Sequence, residues 1–389
     1  MLLGEPGGVR DVNASLLLDL VLRYGPLSRT ELLERSRLSK ATVSVITGDL
    51  VARGLVRETG TVRSSRGPRR IQLEFNPEVA AVIGVQVSDD NLVFVRTDLF
   101  GRVAERWLID REVQTPADLV DAVATGLSRP EAQSEVPLLG VGLGVPGLVD
   151  PECRRVLVAL SHDWHQVDLA DQLEARLTRP VAIVNRAKVV ALGQAGAGLS
   201  SVGGARNVLS LYLGNGVVAG SVVDGRLCFG SDGTAGDLGH LTVDPAGAAC
   251  ECGRRGCLQT VVARRAVLAD ARRQARRARD AVDVSVWADV VAAARRREPY
   301  AIRIAERVGR QLGEVVAPLA AALCPEVIAL AGPTADLGPS LVTAVHGTIR
   351  SLARTEADIP VVRVDADAAP RGAAMLFLQQ RTALGLPEA

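Results

Sequence analysis

One stretch constrains this chain more than any other: Gly236-Asp237-Leu238-Gly239-His240, nine further residues, then Cys250-Glu251-Cys252-Gly253-Arg254-Arg255-Gly256-Cys257-Leu258-Gln259. Three thiols and one imidazole make a Cys3His set, and the compact Cys-x-Cys-x4-Cys grouping suits a tetrahedral Zn2+ site formed by His240, Cys250, Cys252 and Cys257. Gly253 and Gly256 permit the turn that brings Cys257 back to Cys250 and Cys252. Four protein ligands leave no open coordination position, so such a zinc, one per chain, is structural and does not activate water. Six cysteines in 389 residues are too sparse for a disulfide scaffold. Cys153, Cys228 and Cys324 lie singly in apolar runs, as core thiols do.

The length predicts two or three domains, and 48% apolar residues supply large cores. Lys plus Arg total 45 against 44 Asp plus Glu, which excludes a wholly basic nucleic-acid coat and an acidic disordered chain. The balance is uneven: residues 1–77 hold 12 cations and 8 anions, and the rest hold 33 and 36. A mildly basic head on a mildly acidic body points to a head that meets a polyanion. The first residues lack the charged and long apolar regions of a signal peptide, and no apolar run reaches about 18 residues. The expectation is a soluble cytoplasmic protein with reduced thiols and no membrane partner.

Residues 13–75 read as a winged helix-turn-helix. Leu16, Leu17, Leu20 and Val21 recur at helical spacing after Asn13–Ser15, and Gly25-Pro26 stops that helix. Ser28 and Glu31 have the capping-box form for a second helix, running to about Ser36. Ser39 caps a third, which extends to Arg53 before Gly54. The short turn between the two is helix-turn-helix spacing. On the third helix Val43, Ile46 and Leu50 share the core face, while Ala41, Thr42, Ser44, Val45 and Gly48 are short side chains suited to a major groove. Thr42 and Ser44 suit base edges or phosphates, Val45 a thymine methyl, and Lys40 a phosphate. Strand, basic loop and strand follow as a wing, whose tip carries Arg63, Arg66, Arg69 and Arg70 with no acid, fit for phosphates or the minor groove. The DNA-binding set is therefore Ser39, Lys40, Thr42, Ser44, Val45, Arg63, Arg66, Arg69 and Arg70.

Beyond Asn76-Pro77 one pattern occurs twice. Ala81–Val87, Leu92–Asp98 and Arg102–Ile109 read as three strands joined by tight turns; Asn207–Leu213, Val217–Val223 and Arg226–Phe229 repeat the layout about 125 residues later. Helical and strand segments follow each copy, which suggests a duplicated α/β fold with a cleft between lobes. Arg264–Arg279 holds seven arginines and reads as a solvated helix face rather than a second DNA patch.

Ser39-Lys40-Ala41-Thr42-Val43-Ser44 through Leu50–Val56 resembles the head of the ROK-family repressors, which join a winged helix to a sugar-kinase-like body. The thiol–imidazole spacing is similar to the signature of that family, whose zinc ligands are this His and these three Cys. The resemblance implies a ribonuclease-H-like, actin-type ATPase body in two lobes. Residues 1–75 would be the head and 76–389 the body: a first lobe of about 76–190 plus the C-terminal helix at about 370–389, and a second of about 191–369. Gly140–Asp150 looks like the family's loop at the end of a first-lobe strand, beside the sugar, and Asp163-Trp164-His165 is similar to a tryptophan-bearing segment before its sugar loop. The resemblance further implies ligand contacts at Asn185, Arg186, Asp237, His240 and Gln259, although the family has acids at the last position and at 186.

Kinases of the family need two phosphate turns and a general base. Here the first turn carries Asp89 and Asp90, adverse to phosphate. The second has Asn215 and is followed by Val218, and the adenosine-side segment reads Ala331-Gly332-Pro333. The base position holds Arg186, which cannot take a proton at neutral pH. The expectation is a regulator without catalytic residues: a ligand-responsive repressor of carbohydrate-related genes. It would bind double-stranded operator DNA as a homodimer or homotetramer and sense a sugar-like, anionic ligand, lobe closure changing the spacing of paired heads. A sugar kinase with an extra head, and a ligand-independent DNA binder, are the alternatives.

Overall fold

The computed structural model describes residues 9–62, 70–88, 91–159, 162–195, 204–277, 284–353, 358–364 and 366–380. The head opens with helix α1 (Val9–Tyr24), a short strand β1 (Leu27–Ser28) and helices α2 (Arg29–Ser36) and α3 (Lys40–Ala52). Strands β2 (Val56–Val62) and β3 (Arg70–Phe75) complete it. Helix α1 begins before the expected polar start at Asn13, and its core face is shifted. Ala14, Leu17, Leu18, Val21 and Leu22 are buried, whereas Leu16 is 37% exposed. Two runs of three apolar residues, Leu16–Leu18 and Leu20–Leu22, let either of two faces satisfy the spacing, and tertiary packing selects between them.

The helix-turn-helix follows its local chemistry. The Ser28 hydroxyl accepts from the Glu31 N–H at 3.3 Å, and the Glu31 carboxylate accepts from the Ser28 N–H at 2.8 Å. The Ser28 hydroxyl also donates to the Glu31 carboxylate at 2.6 Å, and this bond, with that from the Ser28 N–H, holds the Glu31 carboxyl below the usual carboxylate range. Arg37 ends α2 in the left-handed region (φ 58), its N–H donating to the Leu33 carbonyl at 3.1 Å. Three residues later α3 starts, with Val43, Ile46, Thr47 and Leu50 buried. β1 joins β3 (Leu27 opposite Leu73), making a three-stranded sheet in the order β1-β3-β2.

The chain divides into two compact units, Met1–Val184 with Gly196–Gly204 and Pro370–Ala389, and Asn185–Ala195 with Ala205–Ala369. The division after Val184 falls a few residues before the expected 190. In the first unit the head is followed by β4 (Ala81–Val87), β5 (Asn91–Thr97), β6 (Val103–Asp110), α4 (Pro116–Leu127) and β7 (Leu138–Val145). Then come β8 (Leu148–Val149), β9 (Val156–Ala159), β10 (Trp164–Val167), α5 (Leu169–Leu177) and β11 (Val181–Asn185). A five-stranded sheet runs β11-β7-β4-β5-β6, with β4, β5 and β6 antiparallel and β7 parallel to β4; β8, β9 and β10 form a small sheet of their own.

The second unit holds α6 (Val189–Ala195), β12 (Val208–Leu213), β13 (Val217–Val223), β14 (Arg226–Leu227), α7 (Gln259–Val262) and α8 (Arg264–Arg277). It continues with α9 (Trp287–Arg295), α10 (Pro299–Leu323), β15 (Val327–Ala331), α11 (Pro339–Leu352) and β16 (Val361–Arg363); α12 (Ala368–Gln379) closes the described chain. Its sheet runs β14-β13-β12-β15-β16, antiparallel across β14, β13 and β12 and parallel across β12, β15 and β16. A three-strand meander whose first strand is then joined by parallel partners occurs in both units in one spatial order. This is the duplicated ribonuclease-H-like α/β fold.

Every residue of β4 is buried, as in a strand covered on both faces. One cover is α12, which lies directly on backbone. A Cβ on Gly84 would come within 1.9 Å of the Pro370 carbonyl oxygen, one on Gly142 within 1.9 Å of that of Ala373, and one on Gly140 within 2.3 Å of the Phe377 ring. Gly140 and Gly142 thus lie in strand β7, not in a ligand loop; they are small because a helix packs there. Arginines of α8 are used within the unit: Arg265 pairs with Glu251 at 3.0 Å, Arg273 with Asp270 at 3.0 Å, and Arg272 donates to the carbonyls of Val284 and Ser285. Among the described residues no helix is long and apolar enough to cross a membrane.

Candidate nucleic-acid interface and metal centre

The outer face of α3 is made of small groups. Lys40, Ala41, Ser44 and Gly48 are exposed, and Val45 is 59% exposed although apolar. Ser39 and Thr42 are engaged with each other: the Ser39 hydroxyl accepts from the Thr42 N–H at 3.1 Å, and the two hydroxyls lie 2.8 Å apart. Two residues not foreseen from sequence set the helix in place. Arg29 donates through Nε to the Thr47 hydroxyl at 3.1 Å and through Nη2 to Glu58 at 2.9 Å, joining α2, α3 and wing strand β2. Thr47 in turn donates to the Val43 carbonyl at 2.7 Å. A threonine on an otherwise apolar face was the one available signal. Arg70 is exposed at the start of β3; Arg63, Arg66 and Arg69, like Asp89 and Asp90, lie outside the described residues.

In the second unit the ligand atoms of His240, Cys250, Cys252 and Cys257 all fall within 4.8 Å of one another. His240 Nδ1 lies 3.6 Å from Cys250 Sγ, and Cys252 Sγ 3.6 Å from Cys257 Sγ. Tetrahedral zinc bonds of ~2.3 Å to sulfur and ~2.0 Å to nitrogen require edges of about 3.5–3.8 Å. The described edges fit. The turn is built by backbone bonds: the Cys250 N–H donates to the Arg254 carbonyl at 2.8 Å, the Gly253 N–H to the Cys250 carbonyl at 3.0 Å, and the Gly256 N–H to the Ala248 carbonyl at 2.8 Å. Gly253 and Gly256 have φ of 85 and 63, the left-handed region expected of them. The Arg254 N–H holds the Cys252 thiol below its usual range, and burial pushes the Cys257 thiol up. The four groups form a set able to hold one metal ion.

All five residues expected to meet a ligand are among those described. His240 and Gln259 belong to the thiol cluster, Gln259 being 3% exposed. Asn185 ends β11, its Oδ1 accepting from the Ala187 N–H at 2.8 Å, and the Arg186 guanidinium lies 5.8 Å from the centre of the Tyr212 ring on β12. Asp237 is exposed and bridges backbone with Val218, so the bulky residue of the second turn lies beside it. Lys188, 3% exposed, donates to the carbonyls of Gly233 and Phe229, pinning the loop that leads to Asp237.

A winged helix followed by a doubled ribonuclease-H-like body defines a class of proteins that joins a DNA-binding head to a sugar-kinase scaffold. Residues 82–380 match the ROK family and residues 10–71 the MarR family, and the chain belongs to the ROK family. It is similar to the xylose repressor of Bacillus subtilis (strain 168), 30% identical over 263 residues that cover 67% of this chain and 68% of the repressor. Among solved structures it resembles a ROK family transcriptional regulator, a homologue of the Escherichia coli MLC protein: TM-score 0.78, 25% identity, 97% of this chain and 98% of that one. It also resembles a ROK family glucokinase from Streptomyces griseus, solved with glucose and AMPPNP: TM-score 0.65, 26% identity, 76% of this chain and 98% of the enzyme. The architecture, head included, is that of the family's transcriptional regulators.

Proposed function

We propose that the chain is a zinc-stabilised, ligand-responsive transcriptional repressor of carbohydrate-related genes, with no kinase activity. Residues 1–75 bind duplex operator DNA and residues 76–389 sense the ligand. The observation that carries this is the outer face of α3, where Lys40, Ser44 and Val45 stand clear of the core on a helix fixed by Arg29 and Thr47. Lys40, Arg63, Arg66, Arg69 and Arg70 neutralise phosphates, and Ser44 and Val45 meet base edges. Ser39 and Thr42 shape the helix start and lend its N–H groups to a phosphate. Reading a palindromic operator needs paired heads, hence a homodimer or homotetramer. Selection of genomic fragments by the purified protein, followed by footprinting, tests this reading; recovery of no specific fragment overturns it.

The His240, Cys250, Cys252 and Cys257 set holds one structural Zn2+, which ties the turn together and offers no open position for chemistry. Elemental analysis of freshly purified protein should give one zinc per chain. Asn185, Arg186 and Asp237 meet the effector, while His240 and Gln259 act from the metal side. Arg186, laid against Tyr212, suits a carboxylate or phosphate, so the effector is an anionic sugar derivative. Thermal-shift comparison of neutral sugars with sugar phosphates and sugar acids decides this; stabilisation by neutral sugars alone, unaffected by Arg186→Ala, refutes it. The likeness to a glucokinase makes phosphorylation the second reading. Arg186 at the position of the base speaks against it, and sugar-dependent ADP release from the pure protein would establish it.

A further inference from the structure

Of the four groups able to hold the ion, Cys250 has a further neighbour that fixes the orientation of its sulfur. Gln259 is buried beside that sulfur. Its Nε2 lies 3.4 Å from Cys250 Sγ and 2.9 Å from Glu251 Oε1, so the two N–H bonds of one amide face two acceptors. Glu251 is in turn held by Arg265 at 3.0 Å. The backbone of Gln259 is fixed as well, its N–H donating to the Gly239 carbonyl at 2.9 Å, one residue before His240. Its Oε1 points the other way: a Cβ on Gly239 would come within 2.9 Å of it, and one on Gly216 within 3.9 Å. One side chain therefore lies between a thiol of the cluster and the backbone of Gly239.

We propose that Gln259 is a positioning residue of the metal centre, its Nε2 donating to the Cys250 sulfur and tying it to Glu251. The choice of amide over acid follows. A carboxylate at this position has no N–H for the sulfur and would place a third negative charge beside the thiolate and Glu251. Glutamine has the same reach and carries the donor. Both donors of the amide are directed to Cys250 and Glu251, which leaves it no N–H for a sugar. Groups that hydrogen-bond to metal ligands orient them and tune the bond, and their loss commonly costs 10–100-fold in metal affinity.

The proposal rests on the metal reading, and the test separates the two. Full-length protein, Gln259→Glu and Gln259→Met are compared for zinc content, for zinc release to an excess of chelator, and, after Co2+ substitution, for the energy of the sulfur-to-cobalt charge-transfer band. Gln259→Glu is nearly isosteric, so its fold, checked by circular dichroism, is retained. Both variants should release zinc about 10–100-fold faster than wild type, the Glu variant fastest. The charge-transfer band of Gln259→Met should move to lower energy, because a thiolate without its donor gives up electron density more readily. A purely structural glutamine would leave that band in place. Wild-type protein that binds neither zinc nor cobalt overturns the metal reading and this proposal together. Wild type with metal, alongside variants of unchanged release rate and unchanged band, overturns the role of Gln259 alone.

Discussion

Gly256 and Gly253 look alike in sequence and should respond very differently to alanine. Both have positive φ, 63 and 85, which costs an L-residue about 1–2 kcal/mol. At Gly253 nothing lies within 4 Å of an added Cβ, so that strain is the whole effect. At Gly256 the Cβ would come within 1.4 Å of the Asp244 carbonyl oxygen and 2.4 Å of its carbon, and no side-chain rotation relieves a clash with backbone. The two segments must separate, breaking the bonds from the Gly256 N–H to the Ala248 carbonyl (2.8 Å) and from the Val243 N–H to the Gly256 carbonyl (2.8 Å). At about 1 kcal/mol each, added to the backbone strain, these bring the loss to about 3–4 kcal/mol. For a unit of this size, 1 kcal/mol corresponds to about 2–4 °C in melting temperature. Gly253→Ala should therefore lower the midpoint by about 2–8 °C and keep its metal. Gly256→Ala should lower it by about 6–16 °C and lose metal, because Cys257 moves with the turn. Calorimetry with elemental analysis on both variants is the assay. Superimposable melts, or a Gly256→Ala protein with full metal content, would refute the reasoning.

Lys40→Ala should weaken binding to all DNA sequences and reduce the salt dependence by about one phosphate, whereas Ser44→Arg should change which sequences are preferred; fluorescence anisotropy across salt and sequence separates the two effects. Arg37→Gly should stabilise the head by about 1 kcal/mol, because Arg37 sits at φ 58; an unchanged or lower melting temperature contradicts this. Glu174 accepts from Arg154 at 2.7 and 2.8 Å and from the Val181 N–H at 2.8 Å, and Arg154 holds its carboxyl below the usual carboxylate range. Its folded pKa is depressed, so the stability it contributes is present above the ordinary carboxylate pKa and is lost as pH falls through the lowered value. Glu174→Gln should be less stable than wild type at neutral pH and converge on it in acid; a gap that is constant with pH counts against the pair.

Local chemistry was legible in the sequence and distant packing was not. The capping box at Ser28 and Glu31, the cap at Ser39 and the thiol cluster all use residues close together in the chain, whose types and spacing are fixed by bond geometry. The repeated strand layout was readable because the tight turns punctuate it. The two-residue strand β1 was missed, being too short for any periodicity. The glycines of β7 looked like a ligand loop because the helix they accommodate lies more than 200 residues further on. A spacing pattern does not say which way the Gln259 amide points; the bonds from its Nε2 to Cys250 and Glu251 do. Arg29, Thr47 and Glu58 form a brace across three elements that no local window contains.

The packing of α12 on Gly84 and Gly142 has a consequence for biosynthesis. Strands β4 and β7 leave the ribosome long before the helix that covers them: Pro370 follows Gly84 by roughly 290 residues. At ~5–20 residues per second, one face of the first sheet stays uncovered for about 15–60 s. The second sheet has all five of its strands, through β16, before α12 exists. The half of the body encoded later is thus the half able to complete its sheet first, while the sheet of the earlier half waits uncovered. A chain released just before Ala368 would keep every strand of the second sheet and leave the glycine face of the first exposed to other apolar surfaces, so damage to the segment that encodes α12 would be felt roughly 230–290 residues earlier in the fold.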